Sequence, residues 1–274
     1  MILIRECAGF DELDACVQLQ VETWGVEPSD TTPRKNFLLA QKIGGQVIGA
    51  FDTEIAGAAS KDGAGNESQG GPESVVGFAL SLPGVKTGEE KPQAYLHSHM
   101  LAVKESYRNR GIGAQLKREQ RREALSRGIR HMEWTFDPLE IKNSYLNIHR
   151  LGAIVCSYEV NFYGVSSSRL QGGLPTDRLL AEWELDSARV QAILEGRPAA
   201  QHVTEERILV PASIYEWKAS ETGRERALAI QSENRRQFQE AFSLGLAVLG
   251  FVRDTEGNGV FELGFMPRLE ADRL

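Results

Sequence analysis

The stretch His99-Met100-Leu101-Ala102-Val103-Lys104-Glu105-Ser106-Tyr107-Arg108-Asn109-Arg110-Gly111-Ile112-Gly113-Ala114 changes character twice. Its apolar start reads as the end of a β-strand that closes near Val103. Arg108 to Gly113 reads as a short glycine turn, and the polar run beyond it as a long helix reaching about Arg127. Together they present several backbone N–H groups to a phosphate. The first turn of a helix has donors without intrahelical partners, and the helix dipole adds partial positive charge. Glycine lets the main chain approach the anion closely. A βα turn with incidental glycines is the plainer alternative, but it gives no reason for arginines on both sides of Asn109. The Gly-Lys-Ser/Thr of a nucleotide P-loop is absent.

Arg108-x-x-Gly111-x-Gly113 resembles the Arg/Gln-x-x-Gly-x-Gly/Ala signature of the GCN5-related N-acetyltransferases (GNAT). The resemblance covers roughly residues 1 to 185 and implies an α/β (α+β) fold with a central mixed sheet flanked by helices. It implies that Arg108, Asn109, Arg110, Gly111, Ile112, Gly113 and Ala114 hold the pyrophosphate of acetyl-CoA or another acyl-CoA. It further implies direct attack of an amine on the thioester, with main-chain N–H groups around Leu101, Ala102 and Val103 polarising the carbonyl. An oxyanion donor of this kind typically contributes about 3 kcal/mol. Residues 186 to 274 lie beyond the resemblance and read as a smaller α/β extension packed on the core, so residues 1 to 185 and 186 to 274 are the expected domains.

A period of two through Tyr95–Val103 puts His97 and His99 on one face, with Leu96, Ser98 and Met100 on the other. In the family, several members carry a glutamate base where His97 falls. An imidazole with an ordinary pKa near ~6.5 suits proton removal from an ammonium. A histidine bonded to backbone and a His-x-His metal site are the competing readings, and no carboxylate or cysteine set accompanies the latter. No metal is therefore expected.

Asn143 to Ala153 resembles the family's second motif. There Asn143 would cap a helix and touch the cofactor arm, but Ile148 stands where many members carry a tyrosine acid, leaving His149 or Tyr145 as substitutes or as plain helix residues. Lys117, Arg118, Arg121 and Arg122 read as a solvated helix face or as contacts to a 3′-phosphate. Asp137 and Glu133 read as strand-end caps or as holders of a cationic amine. A non-catalytic acyl-CoA sensor or scaffold is the alternative to an acyltransferase.

Composition is that of a globular protein: 41% hydrophobic, 25% charged, net charge −7. The acidic balance argues against nucleic acid and anionic membranes. No apolar run approaches the ~20 residues of a membrane span. Cys7, Cys16 and Cys156 lack metal-ligand spacing and cannot all pair, which suits a reduced cytoplasm. No signal-peptide pattern follows Met1. The expected partner is a small-molecule or peptide amine, with a homodimer as an allowed assembly.

Elsewhere the pattern predicts strands over 2–5, 37–41, 46–52 and 74–82, the last ended by Pro83-Gly84, with a hairpin at Gly44-Gly45. It predicts helices over 11–24 and 224–244, the latter amphipathic through Ala227, Ile230, Phe238, Ala241 and Phe242. Residues 57 to 73 read as a polar surface loop.

Overall fold

The computed structural model describes residues 1–55, 74–87, 92–164, 166–199 and 202–266, so the expected loop at 57–73 lies outside the described residues. Contacts divide the chain into two compact units, Met1–Ile129 and Arg130–Leu274. The boundary expected after residue 185 falls inside the second unit. Each unit is built of strands flanked by helices, the α/β class that the sequence predicts.

The first unit lays β1 (Ile2–Glu6), β2 (Gln46–Asp52), β3 (Val75–Lys86) and β4 (Gln93–Val103) side by side in chain order, each antiparallel to the next. On one face α1 (Gly9–Trp24) and α2 (Arg34–Lys42) bury Leu13, Leu19 and Phe37 against Phe78, Leu80, Met100 and Ala102. Phe37 meets Phe78 edge-to-face at 5.6 Å, and each fully buried ring stabilises the unit by about 1.5–3 kcal/mol. On the other face α3 (Ile112–Ser126) buries Ile112 and Leu116 against Ile48, Ala79, Leu101 and Val103.

Two expectations fail here. Residues 37–41 form part of helix α2, not a strand, and no hairpin strand precedes Gly44-Gly45. Phe37 and Ala40 are fully buried while Leu39 is 55% exposed, which is a helical face; so short an apolar run does not separate the two periods. Nor does Pro83-Gly84 end β3. The strand continues to Lys86, with Pro83 opposite Leu96 and Gly84 opposite Tyr95. Pairing with β2 stops at Ser81, so Pro83 sits where β3 owes no hydrogen bond to that side.

In the second unit the strand order is β5 (His131–Phe136), β7 (Arg178–Glu184), β6 (Ile154–Glu159), β9 (Leu246–Arg253), β10 (Gly259–Phe265) and β8 (Glu206–Val210). Trp183 is fully buried and donates its indole N–H to Leu151 O at 2.7 Å. After α4 (Ile141–Ser144), α5 (Ala188–Leu194) and α6 (Ile214–Ala219) comes the long α7 (Arg224–Ser243). It buries Ala227, Phe238 and Ala241, while Ile230 and Phe242 are half-buried. Phe238 stacks on Tyr158 of β6 at 5.7 Å and meets Phe261 of β10 at 5.1 Å. Beside it the buried Asp177 accepts from the Tyr158 hydroxyl at 2.6 Å and from Arg235 at 2.8 Å. Sequence after residue 185 is thus joined to β6 by both apolar and ionic contacts.

Candidate functional site

The glycine turn forms as its local chemistry dictates. Asn109 and Gly111 take left-handed backbone, φ 63° and 78°, a region open to glycine and tolerated by asparagine. Gly111 is the N-cap of α3 and, as a glycine, brings no side-chain cap to that helix start. The first helical bond runs from Gln115 N–H to Gly111 O at 3.1 Å, so the N–H groups of Ile112, Gly113 and Ala114 have no acceptor within the helix. A Cβ built on Gly111 would meet no atom within 4 Å. The turn is therefore an open cradle beside a helix N-terminus, whose donor chemistry fits a phosphate group.

Neighbouring side chains brace it. The Tyr107 hydroxyl donates to Asp52 Oδ2 at 2.7 Å, and the Arg110 guanidinium lies 4.9 Å above the Tyr107 ring. Arg108 Nε donates to Val103 O at 3.2 Å. The Tyr107 bond, then the Glu54 N–H, holds the Asp52 carboxyl below its ordinary range, and the same bond raises the Tyr107 phenol. Leu101, Ala102 and Val103 turn their side chains into the two cores, which leaves only their main chain for contact with a ligand.

Strict alternation along β4 does not hold. Met100 pairs with Leu80, yet Ser98 pairs with Ser81, so His99 is the extra residue of a β-bulge. Met100 and Ala102 consequently face α1 and α2, whereas Ser98 faces α3 with Leu101 and Val103. The expectation that Ser98 and Met100 share a face is corrected. His97 is half-buried and His99 exposed, with ring centroids 6.3 Å apart. His99 reaches solvent, yet enough protein surrounds its ring that desolvation, and then the neighbouring His97, lowers its pKa.

Opposite the histidines a buried polar ladder crosses three strands. Ser81 Oγ donates to Gln46 Oε1 at 2.9 Å, and Ser98 Oγ donates to Gln120 Oε1 at 3.0 Å. Lys117 Nζ, 2% exposed, donates to Ser98 Oγ at 2.7 Å, and burial pushes this lysine well below its usual pKa. Lys117 thus points into the fold, not toward solvent or a 3′-phosphate, because it alone of the basic stripe lies on the buried side of α3. Arg122 is held by Glu119 at 2.5 Å. Sequence reasoning missed the ladder, although two serines in otherwise apolar strands were its signal.

In the second unit Asn143 is exposed inside α4, whose N-cap is Glu140, so it is not the helix cap expected. Tyr145–Arg150 is a π-helix, with Leu151 N–H bonding to Leu146 O at 3.0 Å. The wider turn stacks Tyr145 on His149, centroids 4.4 Å apart, and buries Ile148. Asp137 caps its turn through Leu139 N–H at 2.8 Å and, with Glu140, receives Lys218 Nζ at 2.9 Å. It is a structural anion, not a free carboxylate awaiting an amine. Among the described residues, no group of three or more His, Cys, Asp and Glu could hold a metal ion, and no helix is long and apolar enough to cross a membrane.

Residues 13–143 match the acetyltransferase (GNAT) family. Among solved structures, the chain is similar to Arabidopsis thaliana NAA60 in complex with acetyl-CoA, at 15% identity over 67% of this chain and 99% of that one, TM-score 0.49. It is similar to the ribosomal-protein-S18-alanine N-acetyltransferase from Escherichia coli, at 14% identity over 69% and 96%, TM-score 0.46. A third is aminoglycoside 6′-acetyltransferase type Ii, at 18% identity over 68% and 98%, TM-score 0.46. No curated protein matches the chain.

Proposed function

We propose, from the match of residues 13–143 to the acetyltransferase (GNAT) family, that the chain is an N-acetyltransferase moving an acetyl or other short acyl group from CoA to an amine. The observation that carries this reading is the open cradle at Gly111, set beside an uncapped helix start inside the matched residues. Acetyl-CoA supplies the activated thioester. The N–H groups of Ile112, Gly113 and Ala114 would hold its pyrophosphate, with Arg108, Asn109 and Arg110 around them.

The chain's own groups would do the rest. Main-chain N–H groups around Leu101, Ala102 and Val103 would steady the carbonyl oxygen. His97, with His99 next to it on the bulge, would take the proton from the incoming ammonium. Ile148 is buried and cannot donate a proton, so leaving-group protonation does not come from that position. The acceptor is a small-molecule or peptide amine, and the compartment is the cytoplasm.

The test is calorimetric titration with CoA followed by free-thiol release from acetyl-CoA across a panel of amines. Binding with amine-dependent thiol release is expected. Binding without turnover by any amine would instead favour a sensor.

A further inference from the structure

We propose that Lys117 is a positioning residue for the strand that carries His97 and His99: its bond to Ser98 holds β4 in the bulged register. The proposal rests on the reading of these histidines as proton acceptors.

β4 pairs regularly with β3 from Val103 opposite Gly77 to Met100 opposite Leu80, then resumes with Ser98 opposite Ser81. Without the extra residue, His99 would stand opposite Ser81 and Ser98 opposite Leu82. A one-residue slip moves every following side chain to the other face. Ser98 would then leave the α3 face, and His97 would move onto it. The alternatives thus differ in where the proposed base points.

The groups that tell these registers apart are on α3. Ser98, Ser81 and Gln46 are cross-strand neighbours in the bulged register. α3 meets this row with Lys117 Nζ on Ser98 Oγ at 2.7 Å, Gln120 Oε1 on Ser98 Oγ at 3.0 Å, and Gln120 O on Gln46 Nε2 at 2.8 Å. Gln46 Nε2 also donates to Glu123 Oε2. Slipping the register would take Ser98 from a buried amine and a buried amide at once, and buried polar groups that lose their partners are costly. An apolar residue at 117 would remove much of that penalty and let the regular register compete. Lys117 touches no reacting atom in this scheme; it acts through Ser98.

The experiment uses the full chain with Lys117→Met, and with Ser98→Ala as the smaller change should the first fail to fold. Two quantities are read: kcat against KM for acetyl-CoA, and the cross-strand nuclear Overhauser contacts of Ser81. Wild type should show Ser81 against residue 98. The variant should show Ser81 against His99 or an average of both, with kcat at least tenfold lower and KM for acetyl-CoA within twofold. A variant that keeps the contact to residue 98, or keeps its kcat, overturns the proposal. If the wild-type chain releases no thiol with any amine, the function reading fails instead, and the Ser81 contacts alone decide this one.

Discussion

The Tyr107 hydroxyl donates to Asp52 Oδ2 at 2.7 Å and so ties the glycine turn to the end of β2. Tyr107→Phe should leave the fold intact and weaken CoA binding about twofold to fivefold, since the cradle must then be ordered by the ligand. The Asp52 carboxyl is depressed below its ordinary 3.8, so the tie contributes above that value and is lost as pH falls through the folded one. The difference in urea midpoint between wild type and Tyr107→Phe should therefore shrink on going below pH 3.8. A pH-independent difference would show that the tie does not depend on the carboxylate.

His97 carries the proposed base chemistry. His97→Ala should lower kcat about 100-fold with little change in affinity for CoA, and should remove the loss of rate on the acid side that protonating a general base causes. An unaltered rate and pH profile would make His97 structural and transfer attention to His99.

Asp177 is fully buried between the Tyr158 hydroxyl and Arg235. Asp177→Ala should cost about 3 kcal/mol, the low end for a broken buried pair because Arg235 keeps contact with water. Chemical denaturation measures this. A chain ending at Asp186 would also lose β9, α7 and their contacts with β6, and should aggregate or melt far lower. If it melts as before and binds CoA, residues 187–274 are an independent module.

Lys218 sits between Asp137 and Glu140. Burial works against its charge, but the two carboxylates outweigh it and raise its pKa above 10.5. Lys218→Met should cost about 3–5 kcal/mol by leaving both anions uncompensated. The raised pKa means that this stabilisation is full below 10.5 and fades as pH rises through the folded value. Equal stability of variant and wild type at neutral pH would contradict the pairing.

What could be read from the sequence was local. The turn at Arg108–Gly113 announces itself because a left-handed Gly111 and an uncapped helix start are encoded within a few residues. The helix of residues 224–243 is legible because its apolar side repeats over several turns. The bulge at His99 was hidden, since the groups that select it, Lys117 and Gln120, reach Ser98 from another element. For the same reason sequence alone does not separate the buried Lys117 from the basic stripe around it. The role of Asp137 is settled by Lys218, which is distant in sequence. The π-helix at Tyr145–Arg150 has no composition signal, and it is what packs Tyr145 against His149.

Everything rests on the cradle. Gly111 has φ 78° and open space where a Cβ would project, so the Cβ of Gly111→Val meets no neighbour and the left-handed backbone costs about 1–2 kcal/mol. On the proposed reading, its Cβ would enter the space of the phosphate. Calorimetry of CoA against wild type and this variant, with circular dichroism to confirm that both are folded, is the most direct measurement. The expected result is an affinity at least ~10-fold lower in the variant, ~1.4 kcal/mol. A folded variant that binds CoA as tightly as wild type would contradict the assignment of this turn to the cofactor.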